Sequence, residues 1–167
     1  VLEVGVGLGA TLEVLAGRVE GGQVLGVDVS ARLLGLAGQR APEARLVLGS
    51  VTELPCREAS FDWAVATYTL DLLPSPAIPA ALSELRRVLR PEGRLVLCSL
   101  SEGQTWLESC LLATWKRIHR AFGPAAVGGC RPLTLAPLLP EAGLTLLRSQ
   151  HVAQLGTPSE VLLVGVS

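Results

Sequence analysis

The sequence predicts an α/β fold: a mostly parallel sheet flanked by helices and closed by an antiparallel hairpin. Three observations carry this. The first ten residues, VLEVGVGLGA, form an apolar run that ends in glycines at alternate positions. That is the pattern of a buried strand turning tightly into a helix. Short apolar runs then alternate with stretches of helical periodicity over residues 1–100, as repeated βαβ units require. The last two apolar runs are joined by residues 153–160 alone, too short a link for a crossover helix, so these two strands pair antiparallel.

Each element has its own signal. Residues 1–4 lack polar alternation, as expected of a parallel strand buried on both faces. Glycine in the turn that follows tolerates positive φ and close ligand approach. The next helix begins there, with its first amides pointing outward. That helix spans residues 8–19, with Leu12, Leu15, Ala16 and Val19 on one face, and Gly21-Gly22 ends it. Residues 23–29 are strand two, residues 31–40 a helix closed by Pro42, and residues 44–48 strand three. Residues 61–67 are strand four. Ser75 as N-cap and Pro76 in the first helical position start the next helix. Its face is Ile78, Ala81, Leu82, Leu85 and Leu89, and Arg86, Arg87 and Arg90 complement its C-terminal dipole. Pro91-Glu92-Gly93 turns into a strand over residues 94–99. An amphipathic helix over 104–122 follows, then a loop with Pro124 and Gly128-Gly129, a short helix over 134–142, and strands over 144–152 and 161–166.

A chain of 167 residues with 49% apolar content suits one domain spanning 1–167. Fourteen basic residues against fifteen acidic ones give no reason to expect nucleic acid or an acidic membrane as partner. All the basic residues but Lys116 are arginine, a bias of GC-rich coding. Cys56, Cys98, Cys110 and Cys130 show no C-x-x-C pair and no metal-ligand spacing with the two histidines, so no metal is expected. Reduced thiols and a cytoplasmic location are the default. No apolar run is long enough to span a bilayer. Position 1 is not methionine and the chain opens inside a predicted strand. A trimmed domain or a late gene start is therefore expected, without the cover segment that would precede strand one.

The glycine turn fits a nucleoside-containing cofactor. Gly5, Gly7 and Ala10 also satisfy the looser NAD fingerprint G-x-G-x-x-A, so the turn alone leaves both S-adenosylmethionine and NAD(P) open. Asp28 lies 19 residues after Gly9, which places it beside the turn at the carboxyl end of the neighbouring strand. A carboxylate there can accept both hydroxyl hydrogens of a ribose. The plainer alternative is that Asp28 or Ser30 caps the following helix.

Five stretches decide between the cofactors: LEVGVGLG at 2–9, GVDVS at 26–30, LP at 54–55, SFDWAV at 60–65 and LRRVLRPEGRL at 85–95. In this order and spacing they resemble class I S-adenosylmethionine-dependent methyltransferases of the ubiquinone/menaquinone-biosynthesis branch. The resemblance implies a Rossmann-like three-layer αβα sandwich with strand order 3-2-1-4-5-7-6 and strand 7 antiparallel. It implies that Glu3 and the Gly5, Gly7, Gly9 turn face the methionine part and ribose. Asp28 would take the ribose hydroxyls, Val29 would pack on adenine, and Ser50 and Val51 would lie at the adenine edge. Thr67 and the residues after it, through Leu72, would lie under the methionine and line the substrate route. Relatives carry aspartate at Ser50, and a serine accepts without charge assistance, at a cost of about 1 kcal/mol.

Candidates for the acceptor side are fewer. Tyr68 sits where family substrates approach, or is a packing aromatic. Asp71 lines the substrate or caps a turn. His119 follows Lys116 and Arg117 and is a catalytic candidate or part of a solvated face; His151 in a strand is a lesser one. Arg131, after Gly128-Gly129, presents a guanidinium to an anionic or carbonyl group, or merely follows a helix end. Cys130 has no visible base partner. The apolar last third, with Trp106 and Trp115, suggests a lipophilic or aromatic small-molecule substrate. A lid lent by another subunit, and so a homodimer, would compensate for an absent cover. The expected activity is methyl transfer. A non-catalytic cofactor-binding or scaffold subunit and an NAD-linked oxidoreductase are the alternatives.

Overall fold

The computed structural model describes residues 1–101, 130–154 and 157–166. The seven strands are β1 (Leu2–Val4), β2 (Leu25–Asp28), β3 (Arg45–Leu48), β4 (Phe61–Thr67), β5 (Leu89–Leu100), β6 (Leu144–Gln154) and β7 (Thr157–Val166). They form one sheet of order β3-β2-β1-β4-β5-β7-β6. The five strands β3, β2, β1, β4 and β5 run parallel, and β7 runs antiparallel to both β5 and β6. The predicted order and closing hairpin are thus the observed ones. The strand order reverses between β1 and β4, so a crevice opens at the carboxyl ends of the strands there.

Three helices are described: α1 (Ala10–Ala16), α2 (Ala31–Arg40) and α3 (Ile78–Val88). Strand alternation sends Leu2 and Val4 toward α3, where they join Ala64, Ala66, Leu95, Leu97, Leu162 and Val164 against Leu82 and Leu85. Val6, Leu12, Val24, Leu34 and Ala37 make a second core with α1 and α2. Glu3 alternates with Leu2 and Val4, so it shares a face with its register partners Gly26 and Val65.

Several boundaries differ from those read in the sequence. α1 is shorter than 8–19 because Gly9, at φ +81°, is its N-cap and Gly17 its C-cap. A Cβ on Gly9 would lie 2.7 Å from the Cα of Ala37, so packing on α2 fixes where α1 starts. Ser75 does not cap α3. A 3₁₀ turn, Ser75–Ala77, precedes the helix, and the Ser75 hydroxyl instead accepts from Arg131 Nη1 at 2.6 Å. Pro91-Glu92-Gly93 does not precede β5 but loops out of it. Phe61 faces Leu89 and Trp63 faces Arg94, and Glu92 sits at φ +67°.

The short helix expected over 134–142 is two 3₁₀ turns, Ala136–Leu138 and Pro140–Ala142. Pro137 and Pro140 remove the amides that a regular helix would need. Leu135 and Leu139 are nonetheless fully buried there. β6 and β7 extend past the expected ends because pairing continues to Gln154 and Thr157. The helix predicted over 104–122, with Trp106, Cys110, Trp115 and His119, lies outside the described residues.

Candidate active site

The crevice at the switch point has a volume of about 250 Å³. Its lining runs across four strand ends: Tyr68 and Thr69 after β4, Gly5 and Gly7 after β1, Asp28 and Val29 from β2, and Ser50 and Val51 after β3. Leu33, Leu72 and Leu73 supply apolar walls.

The turn after β1 is held from both sides. Gly5 N–H donates to Val27 O at 2.7 Å, and Gly9 N–H donates to Val6 O at 2.8 Å. Gly5 sits at φ +69°, and a Cβ there would fall 2.2 Å from Thr69 Oγ1. Thr69 in turn donates its hydroxyl to Val4 O at 2.9 Å, so β1 and the segment after β4 interlock. Gly7 differs: at φ +52° its missing Cβ would meet nothing but Gly5 O, at 4.0 Å. Its bare backbone faces the crevice instead of a packing partner.

Asp28 is buried and is anchored through both oxygens. Oδ2 accepts from Gly7 N–H and Oδ1 from Ser30 N–H, each at 2.9 Å. An ionised carboxylate has about four lone-pair sites, so two remain for a ligand in the crevice. The capping role falls to Ser30, whose Oγ accepts from Leu33 N–H at 3.3 Å.

Glu3 lies under the turn and outside the lining. It is 2% exposed, its Oε2 has no hydrogen-bond partner, and burial pushes its carboxyl up to about 7. A buried carboxyl so placed is a half-finished site: a cation arriving nearby would both pair with it and ionise it.

Tyr68 has its backbone at φ +51°, a conformation that costs a bulky residue of order 1–2 kcal/mol. Tyr68 lines the crevice and its hydroxyl shares a hydrogen with Ser159 Oγ at 2.8 Å. Burial pushes the phenol up, so it is a neutral group held in place. Asp71 is fully buried. Its Oδ2 accepts from Leu100 N–H at 2.7 Å, its Oδ1 has no partner, and burial raises it to about 6 against the opposing pull of Arg131. It neither lines the crevice nor caps a helix.

Arg131 spends its guanidinium within the fold, donating to Leu73 O at 2.7 Å and to Ser75 Oγ. It thereby fixes the Leu72–Leu73 wall. Cys130 Sγ lies 3.9 Å from Tyr68 O, and burial raises its thiol. His151 is on β6, with Nδ1 3.4 Å from Ser101 Oγ.

Of the residues singled out in the sequence, the fold gathers Gly5, Gly7, Asp28, Val29, Ser50, Val51 and Tyr68 around one crevice. Glu3, Gly9, Thr67, Asp71 and Arg131 support it from outside the lining, and His119 lies outside the described residues. Leu33, Gly49 and Leu73 also line it and carried no sequence signal, apart from the position of Leu33 one turn into α2 after its cap. Among the described residues no cluster of His, Cys, Asp and Glu could hold a metal ion, and no helix is long and apolar enough to cross a membrane.

The residues present fit a nucleoside cofactor with a cationic amino-acid arm. The crevice offers two free carboxylate lone-pair sites, apolar walls for a base, an open backbone at Gly7 and an orphaned buried acid beneath it.

Comparison with known proteins agrees. The methyltransferase-domain family matches residues 1–93. An uncharacterized methyltransferase of Synechocystis is 30% identical over 133 residues, covering 80% of this chain and 61% of that protein. A demethylmenaquinone methyltransferase of Beutenbergia cavernae is 37% identical over 101 residues, 60% of this chain and 40% of that protein. The chain thus spans less than two thirds of these relatives' lengths. Among solved structures, the magnesium protoporphyrin IX methyltransferase of Synechocystis with bound S-adenosylhomocysteine superposes with a TM-score of 0.76 at 20% identity. That match covers 99% of this chain and 73% of the other, and it shows the shared fold.

Proposed function

The chain belongs to the methyltransferase-domain family of class I S-adenosylmethionine-dependent proteins, and from that premise we propose that it transfers a methyl group to a small apolar or aromatic molecule. The observation that carries this reading is Asp28, locked by Gly7 N–H and Ser30 N–H with lone pairs to spare in the crevice. It accepts the two ribose hydroxyls. The base then lies toward Val29, Leu33 and Val51, and the amino-acid arm toward Gly5, Gly7 and Glu3. The ammonium of that arm supplies the partner that Glu3 Oε2 lacks.

S-adenosylmethionine, when bound, supplies a methyl group already activated by a sulfonium. The chain's own work is alignment in line with the acceptor and exclusion of water. Tyr68, strained and anchored on Ser159, is a positioning residue at the reacting end of the crevice. Leu72, 58% exposed at the rim, and Leu73 beside it give that end an apolar approach. The name of the Beutenbergia relative, a demethylmenaquinone methyltransferase, supports an apolar ring system as acceptor.

The test is calorimetric titration with S-adenosylhomocysteine, followed by a turnover assay with S-adenosylmethionine and a panel of hydroxylated quinones and phenols. Binding with turnover on an aromatic acceptor is expected. Binding with no transfer to any small molecule would refute the catalytic reading and leave a cofactor-binding scaffold.

A further inference from the structure

We propose that Ser50 makes this crevice tolerant at the purine 6-position, so that it takes a 6-oxopurine nucleoside as well as a 6-aminopurine one. The inference rests on the cofactor reading above. With the ribose on Asp28 and the amino-acid arm toward β1 and β4, the base falls at the β3 end, where Ser50 and Val51 line the crevice.

Of the polar side chains there, Asp28 is left for the ribose and the hydroxyls are committed within the fold, with one exception. Asp28 accepts backbone hydrogens through both oxygens. Ser30 Oγ accepts from Leu33 N–H. Thr69 donates its hydrogen to Val4 O, and Tyr68 shares its own with Ser159. Ser50 Oγ accepts from Thr52 N–H at 3.2 Å and lies 2.7 Å from Thr52 Oγ1, where either hydroxyl can be the donor.

This pair therefore has two arrangements of equal geometry. When Thr52 donates, the Ser50 hydrogen is free for a ligand oxygen. When Ser50 donates, a lone pair on its oxygen is free for a ligand amino group. A 6-aminopurine presents a donor at this position and a 6-oxopurine an acceptor. A rotation of two hydroxyl hydrogens meets either. A carboxylate at position 50 could only accept, and would set its charge against a carbonyl oxygen.

The experiment is calorimetric titration of S-adenosylhomocysteine and its 6-oxo counterpart, S-inosylhomocysteine, into the wild-type chain, Ser50→Asp and Ser50→Ala. Circular dichroism melts confirm that each variant is folded. Purine N1 also turns from acceptor to donor between the two ligands. That difference is common to all three proteins, so the change in the ratio of affinities isolates position 50. In the wild type the two ligands should bind within about tenfold of each other. Ser50→Asp should widen the preference for the adenosyl compound by about tenfold or more. Ser50→Ala should weaken both ligands by a similar factor, about fivefold, and it carries the test if the aspartate variant does not fold.

A wild-type chain that binds the adenosyl compound but the inosyl one more than about a hundredfold more weakly overturns the proposal. So does a ratio left unchanged in folded Ser50→Asp, or a loss confined to one ligand in Ser50→Ala. Failure of the wild type to bind S-adenosylhomocysteine at all is a separate result, which removes the cofactor reading itself.

Discussion

Replacing Glu3 by glutamine should change how stability depends on pH. Glu3 is 2% exposed and burial moves its carboxyl from an ordinary 4.5 to about 7. Between those values the folded chain keeps a proton that the unfolded chain has released. The unfolded state then binds fewer protons, so stability falls as pH rises from 4.5 and levels off above about 7. At about 1.4 kcal/mol per pH unit, the gap from 4.5 to about 7 costs the ligand-free fold ~3 kcal/mol at pH 8.

The carboxamide of Glu3→Gln cannot ionise, so the variant escapes this loss. Its melting temperature should match that of wild type near pH 4.5 and exceed it by about 6–12 °C at pH 8, given 2–4 °C per kcal/mol for a chain of this size. Thermal melts by circular dichroism across that pH range make the test. Asp71 is raised as well, but it titrates alike in both proteins, so the difference between the two curves belongs to Glu3. Saturating S-adenosylhomocysteine, whose ammonium would favour ionised Glu3, should narrow the gap at pH 8. Parallel curves for the two proteins, without ligand, would refute the reasoning.

Gly9→Ala combines φ +81° with a Cβ 2.7 Å from the backbone of Ala37, and should cost about 3 kcal/mol or more; a melt within 1 °C of wild type would contradict it. Asp28→Asn keeps one acceptor oxygen but turns an NH₂ toward either Gly7 N–H or Ser30 N–H. It should destabilise by about 2 kcal/mol and weaken S-adenosylhomocysteine binding at least tenfold by calorimetry, and unchanged affinity would remove Asp28 from the site. Glu92→Gly relieves a left-handed backbone at φ +67° and should stabilise by about 0.5 kcal/mol, the strain released less the extra freedom of the unfolded chain. A lower denaturation midpoint in urea would show that the Glu92 side chain does more than its backbone strain suggests.

What the sequence disclosed was local or regularly spaced. α2 runs from Ala31 to Arg40 as expected because its signals lie beside it, Ser30 as cap and Pro42 after its end. β4 is bounded as read, Phe61–Thr67, and Tyr68 at φ +51° leaves the extended conformation directly after it. Asp28 could be placed by its distance from the glycines, since a βαβ unit fixes that distance.

Apart from the prolines that break residues 134–142 into two 3₁₀ turns, the failures depend on contacts between distant stretches. α1 begins where Ala37 allows it to, and no pattern near Gly9 shows this. Ser75 has the composition of a cap, but Arg131 takes its hydroxyl. The guanidinium of Arg131 is consumed by that contact and by Leu73 O, so its role could not be read from the neighbouring glycines. The unpartnered oxygen of Glu3 follows from its two neighbouring strands, whose register residues, Gly26 and Val65, bring no donor.

Tyr68 adds a side-chain link between the crevice and the last hairpin. It lines the crevice while its hydroxyl is tethered to Ser159 on the last hairpin, 91 positions away in the chain. A molecule that presses on Tyr68 therefore pulls on β7 through that hydroxyl, beside the backbone route by way of Cys98 O on β5. Backbone hydrogen exchange at Ser159 becomes a gauge of what fills the opening, readable at a residue outside the crevice lining. Cutting the tether with Tyr68→Phe should damp that gauge while leaving residue 68 in the lining.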